Sequence, residues 1–137
     1  MKGAIRQLSF PGWRLRDYIA EAVDFLRDHE PPDGYFVGFS GGKDSIVTLQ
    51  LCKVAKVKHH AFYNATGIDY PEIPKFIRKE YPEVTFIYPK ESYWSLLRKN
   101  GPPMRNVRWC CNRLKEGNND YKTVCMGIRA EESAKRA

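Results

Sequence analysis

Long apolar runs are missing from this 137-residue sequence, and none approaches the ~18 residues a membrane-spanning helix needs. The N-terminus also lacks the apolar stretch of a signal peptide. The expectation is a cytoplasmic protein with no membrane partner. No C-x-x-C occurs among the four cysteines, Cys52, Cys110, Cys111 and Cys125, which removes zinc-ribbon and thioredoxin-type motifs. In a reducing compartment a disulfide framework is not expected either. Cys52 and Cys125 lie in apolar runs and are expected to be buried. The three histidines show no ligand spacing, and His59 and His60, adjacent on a strand, would point to opposite faces. Repeats, low-complexity tracts and linkers are absent, so residues 1–137 are expected to form one domain, with 1–33 as a helical N-terminal segment.

Acidic residues are outnumbered. Sixteen Asp and Glu stand against 23 Lys and Arg, a net charge of +7. Such a balance favours anionic partners: nucleotides, sulfate or phosphate esters, or nucleic acid. Charge narrows the class of partner without choosing within it.

What is present is a regular alternation. Leu15, Tyr18, Ile19, Ala22, Val23 and Leu26 recur at helical spacing and predict a helix from Trp13 to Asp28. After the Pro31-Pro32-Asp33-Gly34 turn, strands are predicted over Tyr35–Phe39, Lys58–Tyr63, Val84–Tyr88 and Tyr121–Met126. Helices are predicted over Asp44–Val54, Pro71–Tyr81, Ser92–Lys99, Cys110–Lys115 and Ile128–Ala137. This order predicts the α/β class, with an open, mostly parallel twisted sheet and helices on both faces. Right-handed crossovers favour strand order 3-2-1-4. Ligands of such sheets sit beyond the C-terminal strand ends at the switch point, here between the first and fourth strands. The loops that end those strands begin at Ser40 and Gly127, so both are expected at one place.

The first loop reads Ser40-Gly41-Gly42-Lys43-Asp44-Ser45. It is not a Walker loop, because Asp44 follows Gly42-Lys43 where Ser or Thr belongs, and no G-x-G-x-x-G is present. An anion cradle is still expected. Gly41 and Gly42 allow positive φ, the helix start supplies unpaired N–H groups and its positive dipole end, and Ser40, Lys43 and Ser45 add donors.

This "SGGKDS" resembles the PP-loop signature of the N-type ATP pyrophosphatases and of the phosphoadenylylsulfate and adenylylsulfate (PAPS and APS) reductases. Three further stretches resemble the reductase branch. "NATGIDYPEIPKF", from Asn64, is similar to the segment after the family's second strand, with Thr66, Gly67, Pro71 and Glu72 matching. "RWCCNRLK", Arg108 to Lys115, resembles its cysteine-bearing segment, and "GIRAEESAKRA", from Gly127, resembles its G-x-R-x-x-[EQ]-S-x-x-R segment. The fold so implied is Rossmann-like, of the adenine nucleotide alpha hydrolase kind.

The resemblance implies that Ser40, Gly41, Gly42, Lys43, Asp44 and Ser45 hold the phosphate or phosphosulfate of an adenine nucleotide: APS, PAPS or ATP. Asp44 would cap the helix or, with ATP, hold magnesium. Gly127 would open a segment in which Arg129, Ser133 and Arg136 share a helix face and grip the anion. Asn64, Thr66, Gly67 and Asp69 would lie near ribose or adenine, with Asp69 also capping the next helix. Ala65 stands where the family pattern has Asp.

Cys110 and Cys111 are open to two readings: a structural pair at a helix start, or a reactive thiolate activated by Arg105, Arg108 and Arg113. In iron–sulfur members such a pair joins a distant C-x-x-C to hold a cluster. Here at most Cys110, Cys111 and Cys125 are offered where a cluster takes four thiolates. The E-C-G motif carrying the reductases' attacking cysteine is also absent.

Three functions compete. The leading expectation is a PAPS reductase-like oxidoreductase of sulfur metabolism, in which Lys43, Arg129 and Arg136 stabilise charge and a thioredoxin-like protein supplies reductant. The second is an ATP pyrophosphatase-type transferase that adenylates a nucleic-acid or small substrate for sulfur transfer. The third is a nucleotide-binding module without catalysis, lacking a C-terminal catalytic segment and working with a partner chain. A homo-oligomer is expected.

Overall fold

The structure, a computed structural model, describes residues 17–104, 106–116 and 123–128. Asp17 starts helix α1 (Tyr18–Asp28), its carboxylate accepting from the amides of Ile19 and Ala20 at 3.2 and 3.0 Å. Four parallel strands follow in alternation with helices. They are β1 (Tyr35–Gly38), β2 (His59–Asn64), β3 (Thr85–Ile87) and β4 (Val124–Cys125). Their order is β3-β2-β1-β4, as the crossover rule predicts. Val37 lies opposite both Ala61 and Cys125, which places β1 at the centre of the site-bearing half.

Strand alternation assigns the two faces. Tyr35, Val37 and Phe39 join Ala61 and Tyr63 in the main core, with Val23 and Leu26 of α1 and Leu49, Cys52 and Ala55 of α2 (Lys43–Ala55). Ile77, from α3 (Glu72–Glu80), closes the same core. Phe62, pointing the other way on β2, is buried outside this cluster, as are Leu96 of α4 (Tyr93–Asn100) and Leu114. Ser92 caps α4 by accepting from the Ser95 amide at 3.2 Å.

Two elements differ from the sequence expectation. The predicted helix at Cys110–Lys115 is a single turn, α5 (Trp109–Cys111), followed by a π-helical turn at Asn112–Glu116. Three tethers set that shape. The Trp109 indole donates to the Gly101 carbonyl at 3.2 Å, Leu114 is buried, and the Lys115 carbonyl accepts from Asn64 at 3.3 Å. Short π-turns of this kind are frequent at functional sites.

Cys125 is half-buried rather than buried; among the described residues β4 lies at the sheet edge, paired with β1 alone. Cys52 is fully buried as expected, and the two thiols share a hydrogen bond. That bond and burial push the Cys52 thiol up, while accepting it holds Cys125 down to about 7. Tyr121 and the helix predicted through Ala137 lie outside the described residues, as does Trp13. No helix among the described residues is long and apolar enough to cross a membrane.

Candidate functional site

A cavity of about 750 Å³ opens beyond the C-terminal ends of β1, β2 and β4, within the range of small-molecule sites. Its floor is the β1–α2 junction. Gly41 has φ +76°, a left-handed conformation that a side chain would strain. Gly42 does not: its φ is −83°, so the expectation of positive φ at both glycines holds only for Gly41. The turn is braced by side chains. Ser45 donates to the Gly42 carbonyl at 2.8 Å, and Ser40 donates to the Ser45 hydroxyl at 3.3 Å. Helix α2 starts at Lys43, and first-turn amides have no intrahelical acceptor, so the positive end of α2 meets the cavity.

Full charge at this floor is balanced. The Lys43 ammonium lies 2.8 Å from the Asp44 carboxylate, and both line the cavity. The pair is exposed, so it is worth little to stability.

The loop after β4 reaches the same place. A Cβ built on Gly127 would meet the Thr48 hydroxyl at 2.6 Å and the Asp44 carbonyl oxygen at 2.9 Å. Only glycine lets this loop lie against the first turn of α2. Met126, Gly127 and Ile128 therefore line the cavity with Ser40, Gly42, Lys43, Asp44 and Ser45, the convergence that the strand order predicts; Gly41 shapes the turn but is not in the lining. Arg129, Ser133 and Arg136, expected just beyond, lie outside the described residues, as does Arg105.

The second-strand residues separate. Asn64 and Asp69 line the cavity, whereas Thr66 and Gly67 do not. Thr66 is buried and donates to the Asp69 carboxylate at 3.0 Å. The Tyr63 hydroxyl donates to the same oxygen at 2.6 Å. Asp69 is thus not the cap of α3 that the sequence suggests. That helix begins at Pro71 without a side-chain cap, and the Asp69 carboxylate is committed to Tyr63 and Thr66. Burial, reinforced by the bond to Asp69, pushes the Tyr63 phenol up.

The third wall distinguishes the adjacent cysteines. Cys111 lines the cavity and Cys110 does not. Arg108 and Lys115 line it with Cys111, and the Arg108 guanidinium donates to the Cys111 sulfur at 3.3 Å. These two cations were not singled out as ligand residues by the sequence reading. Their signal was there: positions 108, 111 and 115 are spaced by three and four, one helical face.

Cluster chemistry finds no support in this arrangement. Cys52 and Cys125 are paired across α2 and β4, and among the described residues no group of three or more His, Cys, Asp or Glu can hold a metal. The described residues by themselves do not bring together the four thiolates that such a cluster takes.

Residues 34–137 match the family described as the phosphoadenosine phosphosulfate reductase domain. Two uncharacterized proteins of Methanocaldococcus jannaschii are similar to the chain. One is 29% identical over 138 residues, covering 90% of this chain and 29% of its own length. The other is 31% identical over 108 residues, covering 72% of this chain and 26% of its own length. The chain thus spans less than a third of each of these curated relatives.

Proposed function

Since the chain belongs to the phosphoadenosine phosphosulfate reductase domain family, we propose that its cavity binds an adenine nucleotide by the phosphate or phosphosulfate chain, with Cys111 at the reacting end. The observation that carries this reading is one of position: Ser40, Gly42, Lys43, Asp44 and Ser45 line the same cavity as Cys111.

With a phosphosulfate ligand the chemistry is a displacement at sulfur. The Cys111 thiolate forms an S–S bond to the sulfur while the S–O bond to the nucleotide's phosphate breaks. The electron pair leaves on the phosphate oxygen, giving a protein S-sulfonate and an adenosine phosphate. Lys43 and the α2 amides hold the phosphate as its charge grows, and Arg108 orients the attacking sulfur. Release of sulfite from the S-sulfonate requires a dithiol reductant of the thioredoxin kind.

A second reading is favoured by Asp44, a carboxylate in the cavity beside Lys43. Such a group fits magnesium on a nucleotide triphosphate, where one or two carboxylates suffice. ATP would then adenylate an acceptor and release pyrophosphate.

Calorimetric titration with APS, PAPS, AMP and Mg-ATP tests both readings. Lys43→Ala should weaken the preferred ligand by roughly 10- to 100-fold, the worth of one charge-assisted contact. Parental affinity of that variant for all four ligands would remove the cradle assignment. S-sulfonate formation at Cys111 from APS or PAPS supports the first reading, and pyrophosphate release from ATP supports the second.

A further inference from the structure

Charge is distributed unevenly along this chain. From Ser92 to Lys115 there are six Lys and Arg and no Asp or Glu, against a net charge of +7 for all 137 residues. Nearly the whole basic excess lies in one segment, and three of its residues, Arg108, Cys111 and Lys115, line the cavity. Two of the three tryptophans, Trp94 and Trp109, are in it too.

The rings form a connected array. Trp94 packs edge-on against Tyr93 with centroids 5.4 Å apart, and Tyr93 stacks on Trp109 at 5.7 Å. Trp94 is 64% exposed, an unusual state for so large an apolar surface. Trp109 directly follows Arg108, which lines the cavity. The array therefore runs from the exposed Trp94 to the neighbour of a cavity-lining arginine, its rings lying outside the cavity lining. Arg98 shares a helix face with Trp94 at i+4, and Arg98, Arg108, Arg113 and Lys115 are all exposed. Lys99 is matched by Glu91, which precedes the segment.

We propose that this α4–α5 surface docks single-stranded nucleic acid, bases stacking on Trp94 and its neighbours while the arginines and Lys115 neutralise phosphates. Planar rings beside cations are what unpaired strands require; a duplex hides its base faces, and a small anion needs no stacking platform. The inference rests on the nucleotide reading in one respect, because a strand held here would present its nearest base or sugar to the nucleotide's reacting end and to Cys111. Docking itself stands on the surface alone.

Fluorescence anisotropy with labelled 12-mers of oligo(dT) and oligo(U) tests it, using the full chain. Binding should weaken with salt at a slope of about −3 in log K against log salt, for four phosphates at ~0.7 each. Trp94→Ala, at an exposed position, should lose roughly tenfold for either strand. An Arg98→Ala, Arg113→Ala double variant should lower the slope's magnitude by about 1.4. Stronger binding of one oligomer identifies RNA or DNA as the source, and either result supports the proposal. Absence of binding to both would overturn it. So would parental affinity in Trp94→Ala, or capture by phosphatidylserine vesicles in place of the oligomers.

An AMP titration of the same preparations separates the two readings. If the parent binds no nucleotide yet Trp94→Ala still loses the oligomer, the cavity assignment fails and the docking surface stands. If AMP binds equally to parent and variant while no oligomer binds, the reverse holds.

Discussion

The two walls of the cavity differ in what they would offer the proposed anionic ligand. The Ser40–Ser45 wall carries one Lys and one Asp, already 2.8 Å apart, and so offers almost no net charge. What it has is backbone shape: Gly41 at φ +76°, a serine-braced turn and the first turn of a 13-residue helix. The Ser92–Lys115 wall is the reverse. Its secondary structure next to the cavity is short and irregular, two of its three lining residues, Arg108 and Lys115, are basic, and the sequence from Ser92 to Lys115 has no acid. A backbone cradle fits one oxygen cluster in one pose. A field of exposed arginines attracts many anions and must take its specificity from other groups, here the aromatic rings and the Cys111 sulfur.

Exchange of single residues can break this contrast. The largest effect is expected at Cys111. Cys111→Ser should cut single-turnover transfer on the order of a thousandfold or more, while Cys110→Ser leaves it near the parental rate. Equal losses in the two variants, followed by rapid quench, would return the pair to a structural role.

The next effect concerns the wall built from backbone. Gly127→Ala forces a methyl group against the Asp44 carbonyl and the Thr48 hydroxyl, and overpacking of this kind costs about 1–3 kcal/mol. Urea denaturation should report that loss, with nucleotide affinity falling alongside. Gly41→Ala should cost less, about 1–2 kcal/mol, because its Cβ would meet Ile77 only at 3.4 Å and the penalty is the left-handed φ. Its signature is weakened AMP binding measured against unchanged oligonucleotide binding. If both ligands weaken together, the two walls are not independent.

The smallest effect is confined to alkaline pH. The Tyr63 phenol is raised by burial and by the Asp69 carboxylate, so the folded state holds its proton longer than the unfolded chain. Its contribution is complete below the ordinary phenol value near 10 and declines as pH rises toward the higher folded value. Stability of the parent, followed by denaturant midpoints from pH 8 to 11, should therefore fall more steeply above pH ~10 than that of Tyr63→Phe. Identical slopes would mean that Tyr63 does not couple to folding.

Much of the fold was legible in local pattern. Apolar spacing predicts β1, α2, β2, α3 and α4 to within about two residues, and the handedness of crossovers orders the strands. Both are properties of short stretches and of chain chirality. For the fourth strand, predicted over Tyr121–Met126, the described residues show pairing at Val124–Cys125.

The chain's own order of residues determined that a glycine turn opening a helix would follow the first strand, that a glycine-led loop after the fourth would meet it, and that basic residues would cluster between Ser92 and Lys115. Only tertiary structure decided which of two adjacent cysteines faces the cavity, that Asp69 binds Tyr63 and Thr66 instead of capping a helix, and that Asn64 anchors the Cys111 segment. The reason is range. Turns, helix starts and charge runs are set by neighbours in sequence, whereas the direction of a side chain on a one-turn helix is set by distant contacts, here Gly101, Asn64 and the buried Leu114.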